Sequence, residues 1–340
     1  MAPQTKPPTL HDVARLAGVS YQTVSRVVND SPNVSEKTRT RVRKAIDQLG
    51  YRPNKAARSL ITRRSQTLQV IASEAGLYKP VYSILTTAKY LGYQVALSLI
   101  QEAYGIEELQ NLFDELTARI VDGFIFISPQ LTITSDDLFQ LTRGKPFVQV
   151  GADPGSSTPS VVFDQVHGTQ LALQHLYDLS HRRIAAITGP LSFSDARVRH
   201  ETYLTFMQSK GLQAGPIATG NFLFDGGYQA AMQLLGSGET FSAIFCANDH
   251  TALGALRALN EQRLRVPEDI SLVGFDDESF ACYLNPPLTT VRQDFDALGE
   301  QAVKYLIEMI KNPETPVHQR VLYSQLVVRE STREKVELDR

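Results

Sequence analysis

Three polar residues in the second half of this 340-residue chain sit beside apolar, strand-like runs, and their chemistries complement one another. Asn248 follows Phe245-Cys246, Asp276 follows Val273-Gly274-Phe275, and Arg199 closes Ala196-Arg197-Val198-Arg199. A carboxylate accepts from two neighbouring hydroxyls, an amide both donates and accepts, and a guanidinium donates through a planar fork. That trio suits a polyhydroxylated ring better than a nucleobase or a metal ion. Phe163, Phe222 and Phe295 offer flat apolar faces for such a ring, although each reads equally well as core. Asn248 and Asp276 have a second reading as helix caps, since Asx residues after strands commonly start helices.

Catalysis is a poorer fit to the same residues. Asp276 and Asp277 are adjacent carboxylates, but glycoside hydrolysis needs two carboxyls facing each other across the scissile bond, and sequence neighbours rarely do so. His11, His167, His175, His181, His200, His250 and His318 show no nucleophile partner and no metal-binding spacing. Cys246 and Cys282 lie in apolar surroundings and are expected to be buried free thiols, not a disulfide or ligands. Neither an enzymatic role nor a cofactor is expected, and no metal site is assigned.

A second constellation lies near the N-terminus, over Thr9 to Asn29. Thr9 and Asp12 have the spacing of a capping box. Val13, Leu16 and Ala17 fall on one helical face and are expected to be buried. Gly18 supplies a turn with positive φ. Ser20 then caps a second helix that buries Val24, Val27 and Val28 and exposes Tyr21, Gln22, Ser25, Arg26 and Asn29. Those exposed groups are of the kind that read base edges in a major groove. Ser35 caps a third helix, Glu36 to Leu49, closed by Gly50, with Val42, Ala45, Ile46 and Leu49 packed inward. Beyond Pro53, Asn54 can cap a short helix ending in an exposed Leu60. An apolar wedge flanked by Arg58, Arg63 and Arg64 suits a minor groove, but an Arg-rich linker reads the same way.

Charge is divided along the chain to match. The whole carries a net −2, yet residues 1–64 hold 13 Lys and Arg against 4 Asp and Glu, leaving an excess of acid in the remainder. A basic module on an acidic body suits binding to phosphates. Arg39 and Arg63 are expected to supply non-specific attraction within it.

The body is long enough for two lobes. Leu68–Ala72, Tyr93–Leu97, Phe124–Ile127 and Phe147–Val150 form one series of strand-like runs; Arg183–Ile187, Ala243–Cys246 and Ser271–Phe275 form another. Helical patterns between them, such as Glu107–Arg119, Thr169–Leu179, Arg197–Lys210 and Thr251–Glu261, argue for α/β architecture with parallel sheets covered on both faces. No N-terminal secretory pattern or membrane-length apolar run is visible, so a cytoplasmic, nucleoid-associated protein with no membrane partner is expected. The first eight residues hold three prolines and are expected to be disordered.

The run Val19-Ser20-Tyr21-Gln22-Thr23-Val24-Ser25-Arg26-Val27-Val28-Asn29, with Val34 to Arg39 and Tyr51 to Asn54, resembles the headpiece of the lactose/galactose repressor family. The resemblance continues through Gly189 to Ser192, Ala247 to Asp249, Val273 to Asp277 and Pro286 to Phe295. It implies an all-α helix-turn-helix headpiece and a two-lobed core like a periplasmic binding protein, crossed three times near 162–165, 290–293 and 321–324. The implied domains are 1–8, 9–52 for the headpiece, 53–64 for a hinge helix, 65–332 for effector binding and dimerisation, and 333–340 for a tail. Implied DNA contacts are Thr9, Ser20, Tyr21, Gln22, Thr23, Ser25, Arg26, Asn29, Ser35, Thr38, Asn54 and Ala57, with Leu60 as wedge. Implied effector contacts are Leu77, Pro80, Phe163, Asp195, Arg199, Phe222, Asn248, Asp276, Gln293 and Phe295. Leu253 and Tyr283 map to a homodimer contact. The implied function is a repressor on a pseudo-palindromic operator, released by a small sugar, with a corepressor-dependent regulator as the alternative. Asp195, Phe222 and Gly151 replace the serine, tryptophan and aspartate of lactose-type members, which implies altered hydroxyl recognition. The ending has no apolar heptads, so a dimer is expected in preference to a tetramer.

Overall fold

The computed structural model describes residues 8–28, 31–52, 64–73, 80–100, 106–118, 121–127 and 135–335. Expectations for Asn29, the hinge helix with Asn54, Ala57 and Leu60, Arg63, Leu77, the first seven residues and the last five lie outside them. The chain divides into two compact units, Met1–Ser65 and Gln66–Arg340.

The first unit contains α1 (Leu10–Ala17), α2 (Tyr21–Val28) and α3 (Glu36–Leu49). Thr9 and Asp12 form the capping box, and Gly18 ends α1 in the left-handed region at φ 59°. Val13, Val24 and Val42 are fully buried at the centre, joined by Ala14, Ala17, Val27, Ala45 and Tyr51. One inward assignment is overturned: Leu16 is half exposed, and Ala14 is buried instead. The stripe runs through Leu10, Val13, Ala14 and Ala17, the i, i+3, i+4, i+7 spacing of one helix face. Leu16 falls off it by about a third of a turn.

The second unit holds two six-stranded sheets. The first lobe begins with β1 (Thr67–Ser73), α4 (Pro80–Tyr90), β2 (Gln94–Ile100), α5 (Ile106–Ala118), β3 (Gly123–Ile127), α6 (Ser135–Leu141), β4 (Phe147–Val150) and β5 (Ser160–Phe163). The second follows with α7 (Gln165–Asp178), β6 (Ile184–Thr188), α8 (Ser194–Ser209), β7 (Ile217–Thr219), α9 (Phe224–Gly236), β8 (Ala243–Cys246), α10 (Asp249–Glu261), β9 (Ser271–Asp276) and β10 (Thr289–Arg292). The chain then returns through α11 (Phe295–Lys311) and β11 (Gln319–Leu322) to the first lobe, and ends in the second with β12 (Gln325–Val327). Strand orders are β11-β5-β4-β3-β1-β2 and β12-β10-β9-β8-β6-β7, parallel throughout except for β10 with β12.

Covering both faces of each sheet produces the buried runs seen in β3, β4, β6 and β8. Leu298, Ala302, Val303 and Leu306 of α11 pack on the first sheet, and Tyr203, Phe206 and Met207 of α8 pack on the second. The crossings fall at Asp164, at Gln293-Asp294 and at Tyr323-Ser324, immediately beside the candidate ligand residues. Cys246 is buried, but Cys282 is exposed on the short 3-10 turn Ala281–Tyr283, correcting the expectation of two buried thiols.

Two histidines help to fasten the C-terminal segment to the second lobe: His175 Nε2 lies 2.9 Å from Thr332 Oγ1, and His181 is the more buried of the two. His181 is 2% exposed, and its Nδ1 meets Ser242 Oγ at 2.8 Å while Nε2 lies 3.0 Å from Ser271 Oγ and 3.1 Å from the Arg333 carbonyl. The Lys335 amide donates to the Leu179 carbonyl, so hydrogen bonding continues through Lys335. Burial lowers the His181 pKa from 6.5 to about 4. The unfolded chain therefore binds a proton that the native state refuses, and stability falls as pH drops from about 6.5 towards 4. At pH 5 the loss is about 2 kcal/mol from this group. Urea midpoints at pH 7 and pH 5 should show a steeper decline for wild type than for His181→Asn; equal slopes would assign the acid sensitivity elsewhere.

Candidate functional site

In the helix-turn-helix unit, the polar groups stand at helix starts. Ser20 Oγ accepts from the Thr23 amide at 3.2 Å and meets Thr23 Oγ1 at 2.9 Å. Ser35 repeats the device, accepting from the Thr38 amide at 3.4 Å and meeting Thr38 Oγ1 at 2.9 Å. Two capped N-termini thus offer hydroxyls and the positive ends of helix dipoles, the donors that position a protein on phosphates. Thr9 is exposed but engaged with Asp12.

Tyr21, Gln22 and Arg26 are exposed along α2, and Ser25 is intermediate. The Tyr21 ring stacks on His11 of α1, with centroids 4.7 Å apart and planes 27° apart. His11 thereby steadies an exposed aromatic ring, a contact its own sequence neighbourhood does not signal. Arg39 departs from expectation: its side chain is largely buried, donating at 2.7 Å to the Ser31 carbonyl and pairing with Glu36 at 3.6 Å. It holds the connection between α2 and α3, leaving little of its charge free for DNA.

In the second unit the site is built around Arg199, one turn into α8 and 4% exposed. Its Nε donates to Gln165 Oε1 at 2.9 Å, its Nη2 donates to Gln293 Oε1 at 3.3 Å, and its Nη1 donates to the Ala247 carbonyl. Asp276 Oδ1 lies 3.7 Å from Nη2, and the Phe275 ring lies beneath the guanidinium at 3.7 Å. These partners come from the ends of β8 and β9, the start of α7 and the crossing after β10. All stand at carboxyl ends of parallel strands or at the crossings, where α/β proteins bind ligands.

The turn after β9 separates the two adjacent carboxylates. Asp276 and Asp277 both have positive φ, 104° and 56°, a conformation costly for residues with a Cβ. The turn leaves Asp276 towards Arg199. Asp277 instead binds Arg292 Nε and Arg329 Nη2, each at 2.6 Å. The pair therefore does not present the opposed carboxyls that hydrolysis requires. Among the described residues no cluster of three or more His, Cys, Asp or Glu could hold a metal ion.

Asn248 caps α10, accepting from the Thr251 amide at 2.8 Å, while its Nδ2 donates to the Phe222 carbonyl at 3.0 Å. An amide retains one further donor and one further lone pair after those bonds. The cap reading and the binding reading therefore coexist. Phe222 has φ 65°, and the Asn248 bond holds this unusual backbone in place. Its ring lies against Gly189, where a Cβ would come within 2.2 Å of it, and it meets Phe193 edge-on at 5.5 Å. Neighbouring Asp249 is fully buried, accepting from Thr290 Oγ1 at 2.5 Å and the Glu278 amide at 2.7 Å, which ties α10 to β10.

The first-lobe contacts are less open. Phe163 is 6% exposed and packs edge-on against Phe295 at 5.3 Å, so it belongs to the core and only Phe295 retains partial exposure. Pro80 is buried at the start of α4. Asp195 lies in the first turn of α8, and burial raises its pKa above the usual carboxylate value while Arg199 opposes the shift.

Residues the sequence reading missed connect the lobes. Asp153, in the loop after β4, accepts from Ser194 Oγ and from Arg197 Nη2, the latter at 2.9 Å, both on α8. Gln319 of β11 donates to the Asp153 carbonyl at 2.9 Å. The carboxyl-end loops of the two sheets thus meet across the cleft. Gln165 was also missed, although its place directly after a crossing was a usable signal.

A model described as bacterial regulatory proteins, lacI family, matches residues 9–54, and one described as a periplasmic binding protein-like domain matches residues 173–332. The lactose operon repressor of Escherichia coli K12 is 38% identical over 96% of this chain and 91% of its own length. The HTH-type transcriptional regulator CelR of Thermobifida fusca is 36% identical over 95% and 98% respectively. A crystal structure of the lac repressor dimer bound to operator and the anti-inducer ONPF superposes with TM-score 0.87 at 35% identity, covering 96% of this chain and all of that one. A complex of CelR with cellobiose gives TM-score 0.69 at 34% identity, covering 95% and 99%. A unit of short capped helices, a two-lobed core and kinship over nearly the whole length lead to one conclusion: the chain belongs to the lacI family of bacterial regulatory proteins, which are DNA-binding transcriptional regulators and not enzymes.

Proposed function

We propose that this chain is a homodimeric repressor of carbohydrate-utilisation genes that binds a pseudo-palindromic operator and is released by a small sugar, a galactoside among the candidates. The observation that carries the ligand half is the convergence of Arg199, Asp276, Gln165 and Gln293 at the strand ends. Acceptors, donors and an aromatic face gathered in one place are what a polyhydroxylated ring requires. Relatives solved with cellobiose or ribose support the class of ligand and differ on its identity. Asp195, Phe222, Asn248, Gln293 and Phe295 complete the contact set in this reading.

One headpiece covers one half-site, so symmetric DNA calls for a symmetric pair. Tyr283 is 85% exposed, and Leu223 and Phe224 of the second lobe are also exposed, apolar surface of the kind a dimer covers. Leu253 and Tyr283 are assigned to that contact. Sugar in the cleft changes the relation of the lobes, and the Asp153 bridge to Ser194 and Arg197 is part of what must rearrange.

Gln22→Ala should cost about 1–3 kcal/mol on the cognate operator and relax preference at one or two base pairs. Fluorescence anisotropy on a half-site substitution series measures this; unchanged affinity and preference would displace α2 as the reading helix. Arg199→Ala and Asp276→Asn should bind operator normally and ignore the sugar, where wild type weakens on titration. A normal response in Asp276→Asn removes that residue from the site, and tighter operator binding with ligand makes the effector a corepressor. Linkage makes sugar and operator antagonise each other equally. Asp153→Ala should therefore move sugar affinity and operator affinity in opposite directions, read by calorimetry and anisotropy. No change in either would exclude the bridge from the switch.

A further inference from the structure

We propose that His11 contacts the DNA backbone as an imidazolium, held over a phosphate by its stack on Tyr21, so that operator binding takes up a proton. The proposal rests on the reading above in which α2 lies in a major groove. His11 is exposed on the first turn of α1, and Tyr21 is the exposed first residue of α2. Their rings lie 4.7 Å apart with planes 27° apart. Each ring supports the other, so two side chains that would rotate singly share one orientation. Among the described residues no hydrogen bond or ion pair engages His11 Nδ1, His11 Nε2 or Tyr21 Oη. The pair is rigid, exposed and unspent.

Position decides what those atoms meet. In a helix-turn-helix the first helix crosses the backbone while the second reads the groove. The seam between the first turns of α1 and α2 then lies at the groove's rim, where phosphates are the nearest acceptors. The charges around the imidazole leave it available. On α1, Arg15 follows His11 by four residues, is 82% exposed and adds a second cation. Asp12 is the carboxylate beside His11, and it is engaged by the Thr9 amide at 2.9 Å, the Thr9 hydroxyl at 2.7 Å and Arg15 at 3.7 Å. Helix α2 brings no acidic residue, and its cation Arg26 lies more than a turn beyond Tyr21. Helix α3 meets α1 through Val42 and Ala45 of the core. A phenol face attracts a cation as well as a flat ring, so the stack holds when the imidazole carries its proton. Histidine changes charge between pH 5 and 8. A contact made by the protonated ring therefore draws up to one proton per headpiece from solution, and affinity falls as pH rises through that range. Each phosphate neutralised also releases counterions, which steepens the salt dependence at low pH.

The test uses the full-length protein and two duplexes of equal length, one selected by this protein from a random-sequence pool and one of random sequence. A phosphate contact serves both. Anisotropy should show wild type binding each at least about threefold more tightly per headpiece at pH 6 than at pH 8. Its salt slope should be steeper at pH 6 by about 0.9 per headpiece. His11→Gln should lose both differences, and His11→Lys should bind at pH 8 as wild type does at pH 6. Tyr21→Phe should keep the pH ratio and Tyr21→Ala should shrink it, whatever either does to affinity. Calorimetry at pH 6.5 in two buffers of different ionisation enthalpy counts the protons taken up, a number that should fall in His11→Gln. The same pH ratio and proton uptake in wild type and His11→Gln overturn the proposal. A pH ratio confined to the selected duplex moves the contact to a base edge and overturns the phosphate assignment. Binding of both duplexes with no pH ratio removes this proposal alone, whereas no binding of either at any pH removes the operator reading with it.

Discussion

A buried guanidinium sets the terms for the whole second unit. Taking a cation out of water costs several kcal/mol unless its donors are satisfied and its charge is answered. Arg199 meets that demand with partners contributed by four separate places: Gln165 at the start of α7, the carbonyl at the end of β8, Asp276 after β9, and Gln293 at the crossing after β10. Each of those elements must therefore be held in register with α8. The Phe275 ring closes the underside, adding a cation–π contact that only a planar cation can use fully. Removing one partner leaves a buried charge short of compensation, a cost that falls on the cleft around Arg199.

That requirement explains why strained backbone is tolerated here. Asp276, Asp277 and Phe222 all adopt positive φ, and each is tied by a specific bond: Asp276 to Arg199, Asp277 to Arg292 and Arg329, and Phe222 through Asn248. Strain of order 1–3 kcal/mol per residue persists only where surroundings over-determine it. The second lobe has them, in two apolar layers on its parallel sheet. The headpiece works differently. Its core is small, its three helices are short, and its caps carry a large share of the order, so the exposed face of α2 is presented by a module close to the lower limit of independent stability.

Much of this was legible in consecutive residues. Capping box, turn glycine and second cap located α1 and α2, and continuous apolar runs located β1, β3, β4, β6, β8 and β9, because caps and periodicity are local physics. The three-residue strands β7 and β12 and the half-exposed β11 left no such trace, since edge strands need no continuous apolar run. Leu16 and Cys282 were misjudged for a related reason: hydrophobicity states what a side chain prefers, and packing decides whether a neighbour is there to cover it.

Residue types and spacing already carried the kinds of chemistry present: exposed hydrogen-bonding groups in a basic segment, and Asn248, Asp276 and Arg199, donors and acceptors suited to hydroxyls, in an acidic body. Which of them meet is set by the folded chain. Gln165 and Gln293 converge on Arg199 from 34 and 94 positions away, and Asp153 reaches Ser194 across 41. It also decided that Arg39 is spent on the Ser31 carbonyl and Phe163 on the core. Such contacts depend on how strand order and crossings fold the chain back on itself. Residues at those separations carry no local signal of one another, because neither alters the hydropathy period or turn chemistry around the other.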